Sequence, residues 1–295
     1  MNPPADTVVR ALTQDGSFRV IATFTTQTVQ AVIKAQQTSG TTAEQLGELV
    51  TGAILVREAM APGYRVQAIL QGAQGGGSLV ADSHPDGTNR GIVNLGGRRE
   101  VNLSNGGLLQ VMRTMPKGVH QGVVQVPRGG GIPGALMAYM QESEQVASVI
   151  SVCTLLGNDG NARSAGFFVQ LLPEAERSLL MIMTERLDSF PPLRSLLQNP
   201  DLTPQGLLDE ILYGMPFTVT SNTEVRFGCQ CSRERLLASL ATLPQAEIAS
   251  MIHDNKPLDI RCDGCGEEYV IGVDELLPMV QPGGMFGRAT KPGDA

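Results

Sequence analysis

The sequence predicts an α+β chain: an N-terminal mixed α/β core domain with a largely antiparallel sheet, a helical linker, and a small C-terminal zinc-binding domain. Three observations lead there. Between Tyr64 and Val126, short alternating apolar runs are separated by glycine-rich turns, the pattern of antiparallel strands. Between Glu174 and Arg226 the apolar spacing is helical but repeatedly interrupted by proline. Near the C-terminus, four of the five cysteines stand as two tight pairs, which is metal-ligand spacing.

In chain order, residues 17–25 are rich in β-branched and aromatic residues and read as a strand, and residues 27–37 follow with apolar side chains at helical spacing. Thr42-Ala-Glu-Gln45 has the form of a capping box, after which Leu46, Leu49, Val50, Ala53 and Ile54 make an apolar stripe that ends at Pro62-Gly63. A helix starting at Thr42 is expected. Strands are expected over 64–70, 78–81, 91–95, 108–112 and 121–126, a helix over 133–145, and two more strands over 147–156 and 164–172. These make a core domain spanning 1–175.

Residues 176–226 are expected to form a metastable linker, because short helices broken at Pro191-Pro192, Pro200 and Pro204 are marginal alone. Leu179, Leu180, Met183 and Leu187 would share one helix face, and Leu207, Leu208 and Ile211 another, with Thr203-Pro204 as a helix start. Such faces need a surface to lie on. They either pad the core domain or belong to a linker whose folded state relies on the C-terminal module. That module, 227–280, should hold helices over 232–241 and 245–253 and then a hairpin with Cys262-Asp-Gly-Cys265 at its turn. The glycine- and proline-rich residues 281–295 read as a disordered tail.

Cys229-Gln-Cys231 and Cys262-Asp-Gly-Cys265 can each close on one ion, and together they complete the tetrahedron of sulfurs that Zn²⁺ prefers, with bonds of roughly 2.3 Å. One Zn²⁺ per chain is expected, and a satellite of under about 60 residues needs such a staple. Four thiolates on one Zn²⁺ leave a negative cluster of latent nucleophiles. Arg226, Arg233, Arg235 and Arg261 lie close in sequence and are expected to offset that charge and keep protons off the sulfurs. Ser232 as N-cap would set a helix N-terminus beside Cys231, with the same effect. Within each pair the sulfurs are near enough to couple, so oxidation of one could drive a disulfide and expel the metal. A permanent structural zinc is the simpler alternative, and the short Cys229-Gln-Cys231 pair weighs against it.

Composition removes other classes. Net charge is −7, with no tryptophan, four tyrosines and eight phenylalanines, so neither the basic footprint nor the stacking platforms of a nucleic-acid binder are present. No stretch approaches the eighteen apolar residues of a membrane span, and Met1-Asn-Pro-Pro-Ala-Asp does not open a secretory leader; with free thiols in metal spacing, a cytoplasmic protein is expected. The glycine stretches 72–78 and 128–134 lack the G-x-x-x-x-G-K-[ST] pattern and read as turns, not phosphate loops. His84, His120 and His253 are scattered without ligand or triad spacing, and Cys153 sits in an apolar run as a small buried hydrophobe. No nucleophile motif is evident, and a non-enzyme is expected.

The run Val225-Arg-Phe-Gly-Cys229-Gln-Cys-Ser-Arg-Glu-Arg235 and the later Cys262-Asp-Gly-Cys-Gly266 closely resemble the zinc-binding end of the redox-regulated 33-kDa heat-shock chaperonin family. Ser143-Glu-Gln145, Gln121-Gly-Val-Val before Pro127, and Ala165-Gly-Phe-Phe-Val-Gln170 before Pro173 are similar to that family's core-domain signatures, in the expected order, so the resemblance spans nearly the whole chain. It implies a redox-regulated, ATP-independent holdase that binds unfolding or oxidatively damaged proteins. Reduced, it would be zinc-bound and inactive, with Cys229, Cys231, Cys262 and Cys265 as ligands. Oxidised, it would carry Cys229–Cys231 and Cys262–Cys265 disulfides, release zinc, unfold its linker and dimerise, with cellular thiol reductants and ATP-dependent foldase chaperones acting downstream. Two other readings stay open on the residues alone: a zinc ribbon that docks a macromolecule, which would keep its metal under mild peroxide, and a dithiol oxidoreductase, which would not need the Cys229 pair.

Overall fold

The strand Phe-Arg-Val-Ile-Ala-Thr-Phe at residues 18–24 is buried on both faces, with Phe18, Val20 and Ala22 on one and Ile21 and Thr23 on the other, so it has a cover on each side. The fold supplies both. The computed structural model describes residues 5–60, 63–98, 100–103, 106–157, 160–173 and 175–280 and divides into two units between Gly228 and Cys229.

In the first unit, β1 (Thr7–Thr13), β2 (Phe18–Phe24), β8 (Ser148–Leu156), β9 (Ala162–Leu171) and β10 (Phe217–Glu224) form one antiparallel sheet in the order β10-β1-β2-β9-β8. A second sheet is built from β3 (Arg65–Gln71), β4 (Ser78–Ser83), β5 (Thr88–Asn94), β6 (Leu108–Met115), β7 (Gly118–Gln125) and the short β11 (Arg226–Phe227), in the order β11-β5-β4-β3-β6-β7. Its pairs are antiparallel except β11, which runs parallel to β5. Helices α1 (Thr26–Gln36), α2 (Gly40–Ala59) and α3 (Gly131–Glu142) lie with the main core between the sheets.

Helix α2 corrects one expectation. It begins at Gly40 after Ser39, two residues before the capping-box pattern, and Thr42 is buried inside its first turn. Nor does it carry a stripe: every residue from Leu49 to Ala59 is buried, because the helix touches both sheets. Close approach to β8 requires Gly47, where a Cβ would stand 2.4 Å from Thr154 Oγ1. Buried hydroxyls fasten the same region: Thr51 Oγ1 lies 2.7 Å from Thr25 Oγ1 and 2.9 Å from Ser164 Oγ, which is 2.9 Å from Thr154 Oγ1.

The last turn of α2 carries charge into this core. Glu58, 2% exposed, ion-pairs with both Arg57 on its own helix and Arg10 on β1, and Arg57 Nε donates to Ser83 Oγ at 2.9 Å. Ser83 Oγ donates to Asn89 Oδ1 at 2.6 Å, and Asn89 Nδ2 donates to the carbonyls of Gly87 and Arg226. The network ties both sheets to the segment that enters the second unit.

The outer face of the five-stranded sheet is covered by α4 (Arg177–Ser189), α5 (Leu193–Leu196) and α6 (Pro204–Ile211). Leu197, Leu207, Leu208, Ile211 and Leu212 are at most 1% exposed, packed in one cluster with Phe18, Val20, Ala22 and Phe167. Phe167 and Phe190 meet edge to face at 5.6 Å. Thr203 caps α6 by accepting from Gly206 N at 3.0 Å, with Pro204 following, as the sequence predicts. The remainder of the segment departs from its helical pattern. Residues 217–224 are β10, hydrogen-bonded to β1, and neither strand was expected. Their signals are weak for physical reasons: β10 is a polar, half-exposed edge, and β1 carries a bulge between Arg10 and Ala11.

Helix α5 reaches back to α2, where Arg194 pairs with Glu44 at 3.4 Å and Glu48 stands in the same cluster. Burial, together with the charge of Glu44, raises Glu48 to about 7, against the pull of Arg194 and a hydrogen bond from the Thr154 backbone. A carboxyl raised in this way stabilises the fold fully below its unfolded value of 4.5 and loses that contribution as pH rises through about 7. Glu48→Gln is therefore expected to match the parent near the lower limit and to exceed it by about 1–3 kcal/mol at pH 8. Urea unfolding at the two pH values checks this; a constant difference would contradict it.

Candidate metal centre

The second unit has little apolar material of its own. Helices α7 (Arg233–Leu240), α8 (Gln245–His253) and α9 (Val273–Val280) and the hairpin of β12 (Leu258–Arg261) and β13 (Glu268–Ile271) gather around Ile248, Ile271 and Leu276, the fully buried apolar residues among those described there. The two helices and the hairpin match the sequence expectation. Helix α9 was not anticipated, and residues 281–295, expected as a tail, lie outside the described residues.

Local backbone preferences place the four cysteines. Ser232 caps α7 by accepting from Arg235 N at 3.3 Å, so Cys229 and Cys231 lie on the extended lead-in to that helix. Cys262 and Cys265 occupy the β12–β13 turn, where Gly266 N donates to Cys262 O and Cys262 N to Glu267 O, both at 2.8 Å. Gly266 takes φ 78°, a conformation glycine adopts without cost.

All four Sγ atoms lie within 4.8 Å of one another. Two approaches run across the pairs, Cys229 to Cys262 at 3.6 Å and Cys231 to Cys265 at 3.4 Å. A tetrahedron of sulfurs with bonds of about 2.3 Å to one ion has edges of about 3.8 Å. The cluster is therefore near the size one ion requires, and its soft, half-buried sulfur donors suit zinc. Cys153 is excluded from it: buried on β8 in the first unit, its thiol is pushed up to about 11 by desolvation, as expected of a small core residue.

The arginines are placed otherwise than expected. Arg233 pairs with Glu275 and donates to Val270 O at 2.8 Å, and Arg235 donates to Gln230 O at 2.8 Å. Arg226 belongs to the first unit, reaching Asp86 O, and Arg261 is exposed at the end of β12. Without metal, burial raises the thiols of Cys231 and Cys265 rather than lowering them. Arg233 and Arg235 hold the frame of the unit through Glu275, Val270 and Gln230. The sequence reading missed Tyr269, whose hydroxyl donates to Cys231 Sγ at 3.2 Å. Its signal is the alternation of β13, which points Tyr269 to the same side as Ile271 and toward the cluster.

Three comparisons bear on this arrangement. The family model described as Hsp33 protein matches residues 6–272. The chain is 30% identical over 283 residues to a 33 kDa chaperonin of Citrifermentans bemidjiense, covering 92% of this chain and 95% of that one. It is also 30% identical to a 33 kDa chaperonin of Syntrophotalea carbinolica, covering 93% and 99%. The crystal structure of a 33 kDa chaperonin from Thermotoga maritima superposes with a TM-score of 0.81 at 23% identity, over 94% of this chain and 98% of that one, a likeness of fold.

Proposed function

The chain belongs to the Hsp33 protein family, and from that premise we propose that it is a redox-regulated, ATP-independent holdase that binds unfolding proteins and limits their aggregation under oxidative stress. The observation that carries the reading is the four-sulfur cluster in a unit too small to hold itself closed. In the reduced state Cys229, Cys231, Cys262 and Cys265 would hold one Zn²⁺. Bound zinc supplies the cross-link and offsets the charge of four thiolates.

On oxidation, peroxide converts one thiol to a sulfenic acid with release of water; a neighbouring thiol then attacks that sulfur, forming the S–S bond and releasing a second water. Each disulfide consumes one peroxide and two thiols, so two peroxides and four thiols complete the switch. We assign the bonds as Cys229–Cys231 and Cys262–Cys265. Bonds within the pairs leave the hairpin free to part from the lead-in to α7, whereas bonds across them would keep the unit stapled. Residues 176–226 would then act as a linker between a core of 1–175 and the metal unit of 227–280. As they loosen, the face of Phe18, Val20, Ala22 and Phe167 now under α4–α6 opens to clients. The same exposed surface supports dimerisation of the oxidised form, with thiol reductants and ATP-dependent foldases acting afterwards.

Among the described residues no helix is long and apolar enough to cross a membrane. Free thiols in ligand spacing support a cytoplasmic site of action, and a non-catalytic role accords with a chaperone family.

A single peroxide titration without nucleotide tests the reading, following zinc release, free thiols, disulfide-linked peptides by mass spectrometry and suppression of client aggregation. Zinc and four thiols should be lost together as suppression appears. Equal suppression before and after oxidation would refute the switch, and linked peptides joining Cys229 to Cys262 would refute the pairing.

A further inference from the structure

The holdase reading leaves open what part of the folded core an extended client could grip, and the free edge of the six-stranded sheet offers an answer that rests on that reading. Among the described residues, strand β7 is the last strand of its sheet and pairs only with β6. In its register Val126 N donates to Gly107 O at 2.8 Å, so the even-numbered residues of the strand exchange bonds with β6. The N–H and C=O groups of Val119, Gln121, Val123 and Gln125 therefore point away from the sheet.

Edges of this kind are usually guarded by lysine, proline, bulges or short length. This one has none of those guards: Gly-Val-His-Gln-Gly-Val-Val-Gln runs eight residues without a Lys, Arg, Asp, Glu or Pro, in unbroken register. The same four residues also display their side chains on the outer face of the sheet, where Val119 is 63% and Val123 51% exposed. Across the ladder Val123 continues a row of Gln110, Ile69, Val80 and Ile92, whereas Gln121 stands beside Met112 in a row that ends on the paired Asp82 and Arg90, and Val119 stands beside Thr114 and Arg65. On the other face, α3 leaves the strand held from behind, with Tyr139 and Ser143 against Gly122. The outward-facing residues of the edge are thus uncharged, and the strand is backed on one side and open on the other.

We propose that β7 is a strand-addition site, where an extended, uncharged segment of an unfolding protein pairs with Val119, Gln121, Val123 and Gln125 as a seventh strand. Backbone pairing asks for no particular sequence, which suits a partner that has none. Side chains of alternate client residues would lie beside Val119 and Val123, the exposed apolar residues of the strand. A second copy of this chain is the poorer occupant, because each copy carries a net charge of −7 and an edge-to-edge pair would bring those charges together, whereas a neutral segment meets no such repulsion. The edge belongs to the sheet that α4–α6 do not cover, so it persists as a folded template when those helices loosen.

The test uses the full-length oxidised protein and a fluorescent peptide of alternating valine and glutamine, with binding read by anisotropy. A peptide N-methylated at alternate residues is the backbone control. Val123→Pro removes one outward N–H while leaving the bonds to β6 intact, and Val123→Thr keeps both the N–H and the strand preference. Val123→Pro should weaken peptide binding at least about fivefold and Val123→Thr should restore it, with zinc release under peroxide unchanged in both and the methylated peptide failing to bind. Unchanged affinity in a folded Val123→Pro protein, equal binding of the methylated peptide, or a shift only in dimerisation would each overturn the proposal. If the oxidised parent fails to suppress client aggregation, the holdase reading falls instead, which separates the two failures.

Discussion

Stripping the metal from the reduced protein is expected to unfold residues 229–280 while the two sheets of the first unit stay folded. The magnitudes decide this. A structural Zn²⁺ site contributes about 10–16 kcal/mol of apparent binding free energy at pH 7, whereas a core in a unit of some fifty residues rarely supplies more than about 3–5 kcal/mol. Here that core centres on Ile248, Ile271 and Leu276, with partly buried neighbours. Without metal the thiols of Cys231 and Cys265 hold their protons, so the sulfurs retain only weak thiol contacts in place of four bonds. Amide exchange on protein treated with a zinc chelator should show protection lost throughout α7, α8, β12, β13 and α9, but kept in β2, β9 and α2. Cys265→Ser should reproduce the result without chelator. Retained protection in β12–β13 after complete zinc removal would show that the unit is held by packing, and the proposed switch would lose its energetic basis.

Glu58→Ala is expected to be the most damaging single substitution at a charged residue of the first unit, at about 3–5 kcal/mol. Glu58 is 2% exposed and answers two guanidinium groups, that of Arg57, itself 9% exposed, and that of Arg10. Removing it leaves Arg57 with its one bond to Ser83 and only the weaker attraction of Asp86 in a region both sheets enclose. For a unit of about 220 residues that corresponds to a fall in Tm of roughly 6–20 °C. Glu58→Gln, which keeps hydrogen-bond acceptance, should cost less. Replacing Arg57 and Glu58 together with Met and Leu should recover much of the loss, because the burial cost of both charges disappears together. Thermal unfolding of the zinc-loaded reduced protein measures all three. A loss below about 1 kcal/mol in Glu58→Ala would mean that water reaches Arg57.

Five strands of the six-stranded sheet, all but the two-residue β11, were legible in the sequence because one face of each meets the core and the other does not, which writes a period of two into residues 65–71 and 108–115. The helix over 245–253 and the start of α7 were legible from spacing and from Ser232. Where pattern failed, burial or exposure was uniform. Helix α2 is enclosed on all sides and loses its stripe, so its start could not be read from Thr42. Strand β10 is polar and half-exposed, and what makes it a strand is the row of backbone groups offered by β1, some 210 residues away.

The four sulfur positions of the cluster were legible in the sequence alone, since two close cysteine pairs in so small a unit have the spacing to share one ion whatever path the chain takes between them. So were the capped starts of α6 and α7, because a cap is a contract between residues three apart. Only the tertiary structure decided what the charged groups do. It turned Arg233 to Glu275 instead of to sulfur, brought Tyr269 to Cys231, enclosed Glu58 between Arg10 and Arg57, and left β7 as an open edge. The reason is one of range: caps and ligand pairs act over a few residues, whereas an ion pair or a strand partner is set by which distant segments the packing of apolar faces brings together.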